Sequence, residues 1–313
     1  MKKFSIYLAA ALSFFMAVSC KDDDDTTNSY SLSGLEMNGV VAFIAKNDYQ
    51  NITLNVSKLT SSSGTMPDKI GLYYQVNSAK RDTLTKDIKA DPVTSFKYRA
   101  DSVSTFTITC YAYDVTGKLY SSAVSATFEA IDPETALTGL SGTVPDGGTY
   151  MEKSIGGLTW MAQNLYETTS GLPYESCEVM NTLFGRYYTY EEALTACPAG
   201  WRLPTAAEWD AALGTDSGPL MANAVFLDNE LWTYSKEVKI TNSLGFNAIP
   251  AGYIDRTGMV NINSGTKEFA LFWTADAKDD TLAYYRYIFG TNPVVQKGEG
   301  SRTSLALSVR CVK

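Results

Sequence analysis

Histidine is absent from the 313 residues of this chain. Its absence removes the side chain that most often acts as a general base near neutral pH, and the commonest metal ligand. Serine and cysteine hydrolase triads of the usual kind are excluded, as are typical zinc and iron centres. Carboxylate chemistry and calcium binding survive that exclusion, yet the absence argues against an enzyme. Positive charge is also short. The chain has 26 Lys and Arg against 34 Asp and Glu, a net charge of −8. No basic stripe offsets that balance, which argues against nucleic-acid binding. Cysteine is sparse: Cys20, Cys110, Cys177, Cys197 and Cys311. Spacing alone leaves their pairing open. What is present is globular in composition, 45% hydrophobic and 12% aromatic, with length enough for two domains.

The chain opens with Lys2-Lys3, an apolar run from Phe4 to Val18, then Ser19-Cys20 and the acidic run Asp22 to Asp25. Two positive charges, a short hydrophobic stretch and small residues form a secretory signal; the stretch is too short to span a bilayer. A cysteine closing such a run resembles the lipobox of bacterial lipoproteins, although Ala17 stands where Leu is usual. The resemblance implies cleavage before Cys20 and acylation of its thiol. The acidic run resembles the surface-export signal of lipoproteins of the Bacteroides group. The expected location is therefore the outer membrane, lipid-anchored, at the cell surface. Asp-Ser/Thr pairs at Thr26, Thr83, Ser102 and Thr281 resemble the O-glycosylation acceptors of the same bacterial group.

After a polar tether over 20–29, residues 30–131 show the period of two expected of strands. Ile52, Leu54 and Val56 fall on one face of the segment from Gln50 to Val56. Phe106, Ile108, Cys110 and Ala112 fall on one face of the segment from Thr105 to Ala112. Asp114 to Lys118 reads as a hairpin loop and Ser121 to Phe128 as the return strand. Short strands over about 100 residues predict a β-sandwich, and the closing pattern resembles the last hairpin of immunoglobulin-like and fibronectin type III domains. Cys110 reads as a small buried core residue. Asp132-Pro133-Glu134 marks the boundary. Beyond it, Thr189-Tyr-Glu-Glu192 and Thr205-Ala-Ala-Glu208 fit the capping box, in which a Thr side chain and a Glu three residues on satisfy each other's amides. They predict helices over 190–196 and 206–213. Aromatic strands are expected over 158–161, 270–274, 283–289 and 305–312, giving an α+β domain.

In that second domain the segments read Leu158-Thr-Trp-Met-Ala-Gln-Asn-Leu165, Phe184-Gly-Arg-Tyr-Tyr-Thr-Tyr-Glu-Glu-Ala193 and Ala196-Cys-Pro-Ala-Gly-Trp-Arg-Leu-Pro-Thr-Ala-Ala-Glu-Trp209. They continue with Gly245-Phe-Asn-Ala-Ile-Pro-Ala-Gly-Tyr253, Ala270-Leu-Phe-Trp-Thr274 and Leu307-Ser-Val-Arg-Cys-Val312. In this order they closely resemble the Fibrobacter succinogenes major paralogous domain, over roughly Gly142 to Lys313. That family is similar to the C-type lectin-like and formylglycine-generating-enzyme folds. The resemblance implies a scaffold whose two ends meet and which displays variable loops, in secreted or lipid-anchored proteins.

Trp160, Trp201, Trp209 and Trp273 sit in apolar motif centres and are expected in the core. A Cys197–Cys311 bridge would tie the domain's middle to its C-terminus, closing a long loop. Cys177 then has no clear partner, and a bond to Cys110 would cross domains. The formylglycine-generating activity needs a cysteine pair near the C-terminus, and only Cys311 lies in the last hundred residues. The sugar-binding motifs of calcium-dependent C-type lectins do not appear. Asp276, Asp279 and Asp280 lack calcium-loop spacing and read as a solvated loop. Neither cofactor nor metal is implied. A ligand site is expected within 276–302. There Tyr284 and Arg286 alternate with Tyr285 and Tyr287, so that one pair is core and the other a binding surface. Asn292, Gln296 and Arg302 would add donors from nearby loops.

The expected architecture is multidomain: an N-terminal all-β immunoglobulin/fibronectin-III-like sandwich and a C-terminal α+β C-type-lectin-like domain, 132–313. The expected role is that of a non-catalytic surface lipoprotein, an adhesin or other binding protein for a glycan or protein ligand. The rival reading is an accessory subunit of a polysaccharide-uptake or pilus-tip assembly.

Overall fold

The structure, a computed structural model, describes residues 31–85, 93–114, 119–232, 238–256 and 262–313. The signal segment, Cys20, the tether with Thr26, and the loop over 115–118 lie outside the described residues. The chain divides into two compact units between Asp132 and Pro133. Sheet dominates both.

In the first unit, Glu36–Asn38, Tyr49–Asn55 and Val93–Arg99 form one antiparallel sheet. The other sheet runs in the order Phe43–Ala45, Val124–Ile131, Ser104–Asp114, Ile70–Val76, Asp82–Thr85, with Leu119–Tyr120 paired to Ser104–Asp114. Period-two alternation sends Ile52 and Leu54 from one sheet and Phe106, Ile108, Cys110 and Ala112 from the other into a single core. Cys110 is fully buried, and burial pushes its thiol up to about 12. The return strand is broken where the sequence predicted it to start. Ser121 donates its amide to the Ala112 carbonyl at 2.8 Å, but its hydroxyl accepts from the Ala112 amide at 2.9 Å and it bridges Leu32; regular pairing resumes at Val124.

In the second unit, helices α1 (Asn181–Phe184), α2 (Tyr190–Ala196) and α3 (Ala206–Leu213) are short. Both predicted capping boxes form. The Thr189 hydroxyl accepts from the Glu192 amide and the Glu192 carboxylate from the Thr189 amide; Thr205 and Glu208 repeat this at α3. Extended Cys197, held before Pro198, ends α2, and Gly214 at φ 67° ends α3. Leu172–Pro173, Arg186–Thr189, Leu305–Leu307, Tyr253–Asp255 and Ile262–Ser264 form a five-stranded sheet. Phe269–Ala277, Leu282–Phe289 and Gln296–Ser301 form a three-stranded antiparallel sheet.

The C-terminal strand is shorter than the sequence predicted, ending at Leu307 rather than Val312. The chain there changes partners. Cys311 and Lys313 pair with Met161 and Thr159, and Val312 pairs with Arg202, so the two ends of the unit meet. Cys197 and Cys311 form a disulfide with Cα atoms 5.9 Å apart. Cys110 and Cys177 are thiols; that of Cys177 donates to the Glu175 carbonyl at 3.2 Å.

Two hydrophobic clusters of the described residues carry the tryptophans of the motifs. Trp160, Trp209, Phe246 and Phe272 interlock edge to face or tilted, with centroids 5.2–5.9 Å apart. Trp273 sits in the other cluster and donates to the Tyr188 carbonyl at 2.8 Å. Trp201, expected in the core, is only half-buried: the Lys313 ammonium lies 4.4 Å from its ring centroid, at the rim where the chain ends meet.

Between the clusters lies Arg310, sealed from solvent. Its Nε donates to Asn164 Oδ1 at 2.8 Å, Nη1 to the carbonyls of Met161 and Phe246 at 3.1 and 2.6 Å, and Nη2 to the Asn247 carbonyl at 2.8 Å. Phe246 and Phe272 cover the guanidinium. Burial pushes its pKa down to about 9, so the charge persists at neutral pH.

Replacing Arg310 with Met is expected to cost about 3–5 kcal/mol in urea unfolding, since four acceptors lose their donors. Cys197→Ala is expected to lose about 3–4 kcal/mol, because the bridge closes a loop with a sequence separation of 114. Under reducing conditions the wild-type chain should fall to the same stability.

The Arg202 guanidinium, with the Thr205 cap, holds the Glu208 carboxyl down to about 2 from 4.5. A depressed carboxyl adds stability above its unfolded pKa and loses it as pH falls toward the folded value. Stability measured from pH 4.5 to 2 should therefore fall less steeply in Glu208→Gln than in wild type.

Candidate ligand-binding face

The three-stranded sheet of the second unit carries the aromatic run that the sequence singled out. Alternation along Leu282–Phe289 puts Tyr284 and Arg286 on one side and Tyr285, Tyr287 and Phe289 on the other. Arg286 is buried, and it does not offer a guanidinium to solvent as the binding-surface reading required. Its Nε and Nη2 donate to the two carboxylate oxygens of Asp210 on α3, at 2.8 and 3.1 Å, and Lys297 donates to the same carboxylate at 2.7 Å. Arg286, and then Lys297, keep Asp210 below the ordinary carboxylate range. This fork-to-fork pair fixes α3 on the sheet. Tyr284, on the same side, is 37% exposed beside the Lys278–Glu299 ion pair.

Arg302 is likewise committed within the fold. It donates to Glu191 at 2.7 Å and to the Asp279 carbonyl at 3.0 Å, and lies over the Tyr190 ring. Asn292 organises a turn, its side chain accepting from the Val294 amide and its carbonyl from Ser217. Gln296 donates to the Val294 carbonyl. The Asp276 carboxylate accepts from Ala206 at the start of α3, and Asp279 accepts from the Thr281 and Leu282 amides. The loop residues expected to add donors to a ligand site therefore hold turns and helix ends. A buried or half-buried guanidinium takes a carboxylate of its own unit when one is in reach.

What the fold does bring together is the opposite face. Tyr285 and Tyr287 have ring centroids 5.8 Å apart, Phe269 stacks on Phe289 at 4.5 Å, and Phe269 lies 6.3 Å from Tyr287. All four are half-buried. Gly298 lies directly beneath the Tyr285 ring, and a Cβ there would run into it. Gly300 opens the floor next to it in the same way, against Leu305. The result is a row of half-exposed rings lying on a glycine floor. Phe289 was legible as two residues beyond Tyr287 on the same face. Phe269 joins only through the cross-strand register, in which it opposes Phe289. Among the described residues no cluster of Cys, Asp and Glu could hold a metal ion.

These features define a sheet-rich module closed by its own C-terminus and carrying an aromatic face. The Fibrobacter succinogenes major domain model matches residues 154–313, just over half of the chain, and the protein belongs to that family. No curated protein matches it. Among solved structures, the chain is similar to the PKD domain of an M14-like peptidase from Thermoplasmatales archaeon SCGC AB-540-F20. Identity is 14%, coverage 31% of this chain and 91% of that one, and TM-score 0.24. It is also similar to the superoxide reductase (neelaredoxin) from Ignicoccus hospitalis, at 10% identity, 33% and 84% coverage, and TM-score 0.21. At these TM-scores neither likeness bears on fold or function.

Asp210→Asn is expected to destabilise the unit by about 2 kcal/mol, because Arg286 stays buried while Asp210 is partly solvated. A double-mutant cycle with Arg286→Gln, read by thermal unfolding, should give coupling well above that of an exposed pair.

Proposed function

We propose that this protein is an outer-membrane lipoprotein, anchored through Cys20, that displays a C-type-lectin-like domain at the cell surface and binds a glycan without catalysis. The immunoglobulin-like first unit acts as the spacer from the membrane. The observation that carries the reading is the row of Tyr285, Tyr287, Phe289 and Phe269 on the glycine-floored sheet face. Half-exposed rings present flat apolar surface with polar rims, which suits the C–H faces of a pyranose. The absence of histidine supports a binding role over a hydrolytic one.

A second reading, the accessory subunit, is supported by the strand Gln296–Ser301, which pairs with Leu282–Phe289 alone among the described strands. An edge strand can accept a strand from a partner subunit.

On a glycan array, the mature chain should bind without other subunits, and Tyr287→Ala and Phe289→Ala should each weaken the signal about tenfold. Silence across the array, with retention of partner proteins that is lost when a proline replaces Lys297, would favour the subunit reading. Cys20→Ala should release the chain from the membrane fraction.

A further inference from the structure

The outward face of the larger sheet in the first unit carries chemistry that the second unit's role leaves unused. Along Ser104–Asp114 the core takes Phe106, Ile108, Cys110 and Ala112, so Tyr111 and Tyr113 point outward. Tyr73 opposes Tyr111 across the ladder, and Tyr120 opposes Tyr113. The rings form one patch: Tyr73 and Tyr113 meet edge to face at 5.1 Å, Tyr113 and Tyr120 lie 4.6 Å apart, and Tyr111 and Tyr120 lie 6.1 Å apart. Into this patch reaches Arg81. Its guanidinium carbon lies 4.6 Å from the Tyr111 ring centroid and 4.4 Å from that of Tyr120. All of these side chains are half-exposed.

The setting of Arg81 distinguishes it. Arg186, Arg202, Arg256, Arg286 and Arg302 each pair with a carboxylate, Arg310 is sealed, and Arg99 donates to the backbone and side-chain oxygens of Asn47. Among the described residues no carboxylate lies within pairing distance of Arg81. Its sequence neighbour Asp82 opposes Tyr74 in the ladder, accepts from the Thr83 amide and lies against Tyr74, which points to the core side. Two tyrosine rings therefore hold the guanidinium in place without supplying it an anion. A planar cation held in that way suits a bidentate carboxylate. Around it, tyrosine rings offer stacking surface and hydroxyls at their rims.

We infer that the face formed by Tyr73, Tyr111, Tyr113 and Tyr120 around Arg81 is a binding site for an acidic saccharide, with Arg81 taking the carboxylate of a uronate-type pyranose and the tyrosines stacking on its C–H face. An extended acidic peptide fits less well. Ile70–Val76 and Ser104–Asp114, which carry Tyr73, Tyr111 and Tyr113, are paired on both sides, so a peptide strand could add only along Asp82–Thr85 or Leu119–Tyr120 and not across the rings. The inference does not depend on the role of the second unit.

The test is calorimetric titration of the mature chain with tetragalacturonate, with the neutral galactose tetramer and polyglutamate as controls. Tetragalacturonate should bind, weakening as salt rises, and the neutral tetramer should bind at least about tenfold more weakly. Arg81→Gln and Tyr120→Ala should each lose about tenfold, while Tyr113→Phe keeps the ring and the affinity. Tyr285→Ala and Tyr287→Ala should leave this binding intact, which separates it from the second unit's reading. Should Tyr120→Ala fail to fold, Arg81→Gln, altered only at a half-exposed side chain, still decides. Three results would overturn the site: no uronate binding, equal or tighter binding of polyglutamate, or full affinity in a folded Arg81→Gln.

Discussion

The second unit is organised around the buried positive charge of Arg310. Removing a guanidinium from water is expensive, and among the described residues no carboxylate repays the expense at Arg310. The protein instead surrounds the cation with oriented dipoles: the carbonyls of Met161, Phe246 and Asn247, the side chain of Asn164, and the faces of Phe246 and Phe272. These groups come from three separate stretches of chain, so the charge is satisfied only when all three are assembled. Asn164 also donates to the Phe184 carbonyl and to Ser308, and Asn247 to the carbonyls of Ala162 and Ser141. A half-built network would leave both the cation and these amides unpaired, which makes the arrangement cooperative.

That requirement explains the sequence motifs of the family as one object. The segment around Trp160 supplies Met161 and Asn164, the Gly245 segment supplies Phe246 and Asn247, the Ala270 segment supplies Phe272, and the last segment supplies Arg310 itself. The segment running through Trp201 contributes Cys197, bonded to Cys311, and Arg202, paired with Val312. The C-terminal chain thus gives up regular strand pairing after Leu307 in order to serve several partners at once. The half-buried rings of the three-stranded sheet lie at the edge of this core and form the proposed ligand face.

Much of this was legible locally. Both helices begin and end where the capping boxes, Pro198 and Gly214 dictate, because helix termini are decided by groups within a few residues. Period-two alternation identified the inward faces of 50–56 and 105–112 for the same reason. The candidate site was less legible. Alternation separated Tyr284 and Arg286 from Tyr285 and Tyr287 but could not tell which pair faced helix α3. Asp210, the residue that claims Arg286, lies 76 positions away in sequence.

The sequence by itself determined the strand period, the helix caps, the motif order and the lack of histidine chemistry, since each depends on residue type and short-range geometry. Tertiary structure alone decided that Arg286 and Arg302 are held internally, that Phe269 joins Tyr287 and Phe289 in one aromatic row, and that Arg81 stands between two tyrosines. These outcomes turn on which carboxylate or ring the fold carries within a few ångströms of a side chain. Register and packing fix that distance, and no local pattern encodes it.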